Sequence, residues 1–158
     1  MRYITGCWLL LLLAAAHGSV LQSANNLATE SRQAGLDQKI YLLYISRPDC
    51  PYCARLEKDV LQPLLAGREF DHQLVLRELS MEQAQLIDFD GRPSSGQKLM
   101  AQYQVDGAPT LLFFDSQGNE LSERLNGYFS ADYFWYYFIE RIGQASLKLS
   151  GPAQSGSE

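Results

Sequence analysis

The chain has 158 residues, 46% hydrophobic and 20% charged, which is enough apolar material for one packed domain and too much for a disordered chain. Its formal charge of −5 argues against a nucleic-acid binder, which would need a basic face. Three cysteines are too few for a disulfide-framed miniprotein, and a chain of this length needs no such frame.

Residues 1–18 read as a segment removed before folding. Arg2 precedes an unbroken apolar run of ten residues from Cys7 to Ala16, and the small residues Ala14, Ala15, Ala16, Gly18 and Ser19 surround its end. This is the order of a secretory signal peptide. The run is about half of the ~20 residues that span a bilayer, so cleavage near Ala16 or Gly18 is expected, with no membrane insertion afterwards. Cys7 leaves with the leader, and Cys50 and Cys53 remain as the two cysteines of the mature chain. Without Arg2 the balance is 12 basic against 18 acidic side chains, a charge of −6. In an exported chain a disulfide persists.

Along the mature chain, helical and extended patterns alternate. Val20, Leu21, Ala24, Leu27 and Ala28 recur at helical spacing and predict a first helix ending at Gly35. Residues 40–45 form an apolar run expected of a strand buried on both faces. Cys53, Leu56, Val60, Leu61, Leu64 and Leu65 share one helical stripe, which Pro63 is expected to kink or restart. A second core strand is predicted at 74–79, a polar inserted loop at 81–95, a helix at 97–105 and a third strand at 110–114. Residues 115–119 turn into a hairpin partner at 121–125. Ser130 caps a last helix over 131–142, and 150–158 is expected to be a disordered tail. The order α, β, α, β, α, β, β, α predicts a mixed sheet covered by helices on both faces.

The chemistry concentrates at Cys50-Pro51-Tyr52-Cys53, where the first strand gives way to a helix, a context that reads as a redox pair. The thiolate is the nucleophile, and the N–H groups and dipole of a helix N-terminus favour it. Cys50 is therefore expected to be the exposed, activated sulfur and Cys53 the shielded thiol that resolves a mixed disulfide. Asp49 opposes a thiolate at Cys50, while Arg47 and Arg55 offset it. A purely structural disulfide closing so short a loop would contribute only ~2 kcal/mol. A c-type haem site needs His after the second cysteine, and position 54 is Ala; a zinc site needs about four ligands, and His72 alone accompanies the pair. No metal or organic cofactor is expected.

A second motif, Gly107-Ala108-Pro109-Thr110, stands immediately before the third strand. An X–Pro bond there can be cis, and Pro is tolerated at a strand's first residue. Together with the strand-to-helix C-x-x-C, and with 111–119 following, it resembles the thioredoxin superfamily over residues 27–142, most nearly its exported, periplasmic members. The resemblance implies a thioredoxin-like three-layer α/β/α sandwich with a mixed central sheet over residues 19–149. It implies Cys50 as nucleophile, Cys53 as resolving cysteine, and a cis Pro109 beside the disulfide. Ala108 would offer backbone hydrogen bonds to substrate, and Pro51 and Tyr52 would also meet it.

There are departures from that pattern. Pro51-Tyr52 is the glutaredoxin dipeptide, and Asp49 replaces the aromatic residue that often precedes the first cysteine. Tyr44 stands where thioredoxins carry a buried acid, which leaves Glu78 as a substitute proton-transfer group or as an ordinary charge at a strand end. The 81–95 loop either shapes partner choice or is a solvated insertion. The aromatics of the last helix are read as core that could expose a patch, His72 as a surface residue, and Asp88 and Asp90 as turn formers.

The expectation is a monomeric thiol–disulfide oxidoreductase of the periplasm that reduces disulfides of partner proteins and is re-reduced by a membrane electron donor. Net reduction is expected from the lack of an isomerase-type dimerisation domain and of an oxidase-type inserted domain. The alternatives are an oxidant or isomerase using the same site, and a non-enzymatic redox-sensing or binding module.

Overall fold

A computed structural model describes residues 21–151; the expected leader, Val20 and residues 152–158 lie outside them. The first helix, α1 (Leu27–Leu36), starts seven residues later than the periodicity of Val20 and Leu21 suggests. Residues 21–26 run extended instead, with Ala24 N–H donating to Glu78 O (2.7 Å) and Glu78 N–H to Gln22 O (2.8 Å). Capping decides the boundary. Asn26 Oδ1 accepts the Thr29 N–H, and Glu30 Oε1 accepts the N–H groups of Asn25 and Asn26, so the free donors of a helix start are satisfied there. Ala24 and Leu27 are both fully buried, one on extended backbone and one on the helix, which is why the pattern read as a single helix.

Strand β1 (Ile40–Ser46) is buried along its whole length. It leads through residues 47–49 into α2 (Pro51–Leu56), a π-helical turn (Glu57–Leu61) and α3 (Gln62–Gly67). Pro63 accounts for the irregularity. It lacks an N–H and its ring crowds the carbonyl four residues back, and the chain widens so that Gln62 N–H reaches Glu57 O.

Strand β2 (Leu74–Ser80) follows. The 81–95 segment then forms the short pair β3 (Leu86–Ile87) and β4 (Pro93–Ser94), and Ser95 caps α4 (Gly96–Gln102). Strand β5 (Thr110–Phe114) turns through Asp115, whose Oδ1 accepts the N–H groups of Gln117 and Asn119. The expected five-residue hairpin partner is shorter: a single bridge joins Glu120 to Phe114, and regular pairing is confined to β6 (Leu125–Asn126). Arg124 turns aside there to bond Glu120 and the carbonyl of Tyr103. Ser130 caps α5 (Ala131–Ser150), which continues two turns past Ile142 because Ala145 and Leu149 still pack on the core. Ser150 is therefore helical rather than tail. Among the described residues no helix is long and apolar enough to cross a membrane.

The main sheet has the order β2-β1-β5-β6, with β1 parallel to β2 and antiparallel to β5. Alternation along β1 divides the core. Ile40, Leu42 and Tyr44 face α2, α3 and α5, where Phe134, Phe138 and Ile142 close the cluster. Tyr41, Leu43 and Ile45 face α1 and α4. The result is a three-layer α/β/α sandwich with a mixed sheet.

The 81–95 segment is more than a solvated insertion. Phe89 packs its ring against Tyr41, Tyr103 and Phe114, with centroids 6.0, 6.0 and 4.9 Å away. Phe89 is half-buried, and covering part of such a ring contributes about 1–2 kcal/mol toward holding the segment on the α1/α4 face. Asp88 and Asp90 are turn formers, Asp88 Oδ1 accepting the N–H groups of Asp90 and Arg92.

Candidate active site

Cys50 is the N-cap of α2, and its Sγ accepts the Cys53 N–H at 3.1 Å. Asp49, just before it, has φ +53°, a left-handed conformation that Asp tolerates better than a bulky aromatic. The strand-to-helix turn thus explains the residue found there. Cys50 and Cys53 form a disulfide with Cα atoms 5.2 Å apart. The expected contrast in exposure is small: Cys50 is 7% exposed and Cys53 3%, because α2 folds both sulfurs onto the cluster beneath the helix.

The Ala108–Pro109 peptide is cis, and Ala108 O lies 3.8 Å from Cys50 Sγ. Pro109 is buried, its carbonyl accepts the Gly127 N–H at 2.8 Å, and Thr110 Oγ1 donates to Gly107 O at 2.9 Å. The turn is held from both sides, and it sets Ala108 against Cys50 of the disulfide, with Pro109 next in the chain. Pro51 and Tyr52 are exposed on the first turn of α2.

Around the disulfide, the cleft is lined by Arg47, Asp49 and Glu57. Two acidic residues and one basic residue thus border it. Arg55 is not among the lining residues; its guanidinium lies over the Tyr128 ring, with Cζ 5.5 Å from the centroid.

The position six residues before Cys50 holds Tyr44, fully buried beneath the site. Its hydroxyl donates to Glu57 Oε1 at 2.8 Å, and burial, followed by that bond and the charges of Glu57 and Glu78, pushes its pKa far above the ordinary phenol value. Tyr44 is therefore a neutral donor at every ordinary pH. Glu78, considered from sequence as a proton-transfer group, is not among the residues lining the disulfide cleft, and its Oε1 accepts the Ser46 hydroxyl at 2.6 Å. Glu57 lines the disulfide cleft instead. The sequence reading missed it, although its spacing of one helical turn from Cys53 puts it on the same face. A second carboxylate of the π-helical turn, Asp59, accepts the Tyr128 hydroxyl at 2.9 Å and ties the turn to the segment after β6.

The family model described as a thioredoxin-like domain matches residues 27–140. Over 123 residues the chain is 29% identical to the thiol:disulfide interchange protein DsbD of Colwellia psychrerythraea, covering 76% of this chain and 19% of that protein. The chain therefore spans about a fifth of that curated relative. The solution structure of a thioredoxin from Thermus thermophilus superposes with a TM-score of 0.59 at 21% identity, covering 84% of this chain and 92% of that one. The reduced periplasmic thioredoxin SoxS from Paracoccus pantotrophus superposes with a TM-score of 0.49 at 26% identity, over 68% of this chain and 99% of that one. The family match takes in the whole sheet, the C-x-x-C and the cis-proline turn, and on that ground the chain belongs to the thioredoxin-like domain family, within the thioredoxin superfamily of thiol–disulfide oxidoreductases.

Proposed function

We propose that the protein is an exported thiol–disulfide reductase, working in the periplasm on disulfides of partner proteins and re-reduced by a membrane electron donor. The observation that carries the direction is the charge around the disulfide: Asp49 and Glu57 line its cleft with a single arginine, Arg47, while Arg55 lies over Tyr128. Excess negative charge disfavours the thiolate, and so the reduced form, which makes the dithiol readier to give up its electrons. The leader pattern of residues 1–18 supports export. The relative named as a thiol:disulfide interchange protein supports exchange with a partner dithiol.

In the forward reaction Cys50 thiolate attacks one sulfur of the partner disulfide. A mixed disulfide forms, and the other partner sulfur leaves as a thiolate that takes up a proton. Cys53 then loses its proton to the Glu57 carboxylate, which Tyr44 holds in place, and attacks Cys50 Sγ. The second partner thiol leaves. Two electrons and two protons pass to the partner, and the Cys50–Cys53 disulfide forms. Ala108 and Pro109 form one wall of the docking groove, with Pro51 and Tyr52 at its rim.

The placement of Cys50 at a helix N-terminus acts in the opposite sense and favours the oxidant reading. Equilibration of the protein against glutathione decides between them. A potential near or below about −250 mV is expected; one above about −180 mV would overturn the reductase reading.

A further inference from the structure

The groove beside the disulfide does not end at Pro109. Arg124, Asn126 and Gly127 line it together with Ala108 and Pro109, and the same three residues line a second groove walled by Phe129, Tyr133 and Tyr137. Ala108, in the wall of the first groove, lies against the disulfide with its O 3.8 Å from Cys50 Sγ, so the two joined grooves run from beside the disulfide to these rings. The core does not require them there. Helix α5 buries Phe134 and Phe138, while Phe129 is 80% exposed and Tyr133 57%. The rings form a row, with Phe129–Tyr133 centroids 6.2 Å apart and Tyr133–Tyr137 centroids 4.7 Å apart. Exposed aromatic rows of this kind mark interaction sites.

The backbone between the two grooves indicates what form of chain fits. Strand β6 is the edge of the sheet. Gly127 N–H donates to Pro109 O, and the register sets Thr110 opposite Asn126. Bonding alternates along an antiparallel ladder, so exposed Asn126 turns its own N–H and C=O away from β5, toward the open side. An extended polypeptide can add to such an edge, the backbone supplying affinity and the side-chain pockets selectivity.

We infer, on the basis of the oxidoreductase reading above, that the partner presents its disulfide on an extended segment that adds to the β6 edge and sets an aromatic side chain, a few residues from its cysteine, into the Phe129–Tyr133–Tyr137 groove. A second copy of this chain seated on the rings would fill the groove that this segment needs.

The probes are short peptides with one cysteine held as a mixed disulfide with glutathione, and with a Phe or a Ser walked through the flanking positions. Reduction by the dithiol protein releases peptide thiol and glutathione and leaves the Cys50–Cys53 disulfide. At one flanking position the Phe peptide is expected to react about tenfold faster than its Ser counterpart, a difference of about 1.4 kcal/mol. Phe129→Ser and Tyr133→Ser shrink that ratio, whereas Leu36→Ser, an exposed apolar change on α1, leaves it intact. Because the ratio is taken within each variant, a loss of folded protein does not mimic the effect. Equal rates for Phe and Ser peptides at every position overturn the inference, as does a ratio that survives both ring substitutions. If no peptide reacts at all, the oxidoreductase reading itself fails. A dimer in sedimentation equilibrium that Phe129→Ser dissolves would assign the rings to a second copy and overturn the inference as well.

Discussion

Tyr44 Oη donates to Glu57 Oε1 at 2.8 Å, joining the strand beneath the disulfide to the π-helical turn and holding a carboxylate one turn beyond Cys53. A tyrosine in place of a buried acid thus moves the site's carboxylate from the sheet to the helix. Glu57→Gln is expected to slow resolution of the Cys50 mixed disulfide by about tenfold to a hundredfold at neutral pH, the range lost with a general base. The deficit shrinks at higher pH, where the Cys53 thiol loses its proton to solvent. Loss of a negative charge beside the sulfurs also raises the reduction potential, on the order of 20–30 mV. Rapid-quench trapping of the adduct and glutathione equilibration check the two effects. Resolution at the wild-type rate would remove Glu57 from the proton path.

Tyr44→Phe keeps the buried ring and deletes its hydrogen bond, a loss of about 1 kcal/mol in stability. It should reproduce part of the Glu57→Gln kinetic effect, because an unheld carboxylate samples other rotamers. Thermal unfolding and the same quench experiment separate the two consequences.

Cys53→Ser is expected to stop the reaction at the covalent stage, since Cys50 still attacks and nothing resolves the adduct. Partner proteins then accumulate as species that dithiothreitol releases on a gel. Cys50→Ser forms none. Absence of any adduct with Cys53→Ser would favour a binding module over an enzyme.

Phe89→Ala should cost about 2–4 kcal/mol, because its ring meets Tyr41, Tyr103 and Phe114 on the α1/α4 face. Gly118→Ala acts on the same contact. Gly118 has φ +84°, and an added Cβ would lie 2.6 Å from Phe89 Cγ, so about 1–3 kcal/mol is expected to be lost. Both changes lie across the sheet from the disulfide and should leave its potential unchanged. Denaturant unfolding and redox equilibration are the measurements.

Alkaline pH should destabilise the fold through its buried phenols. Burial, with the nearby charges of Glu120 and Asp90 adding to it, pushes Tyr103 up to about 12 from 10.0, and Tyr41 and Tyr44 are pushed higher still, again chiefly by burial. A folded-state value above the unfolded one means that the folded chain keeps a proton the unfolded chain releases. Stability from these groups is therefore complete below about pH 10 and falls as pH rises through the folded values. Tyr103→Phe removes one such group and its bond to Gly118 O, so it lowers stability at pH 7 and flattens the decline above pH 10. Urea midpoints across pH 8–12 test the sign.

The local patterns carried much of this protein. The unbroken apolar run at 40–45, the helical stripe through Cys53 and Leu56, and the two motifs at Cys50 and Pro109 were each legible because burial and turn chemistry act within a few residues. The mixed sheet followed from the alternation of elements and the rules that govern their connections. What depended on distant partners was not legible. Where α1 begins was settled by the caps of Asn26 and Glu30, just after the backbone of Gln22 and Ala24 pairs with Glu78, and Phe89 packs against the core because Tyr41 and Phe114 stand opposite it. The carboxylate beside the sulfurs was settled in the same way. The sequence pointed to Glu78 and passed over Glu57, and the fold gave Ser46 to the first and Tyr44 to the second. A sequence specifies which groups exist and how they repeat; which buried donor meets which acceptor is decided only when the chain closes and each polar group must find a partner away from water.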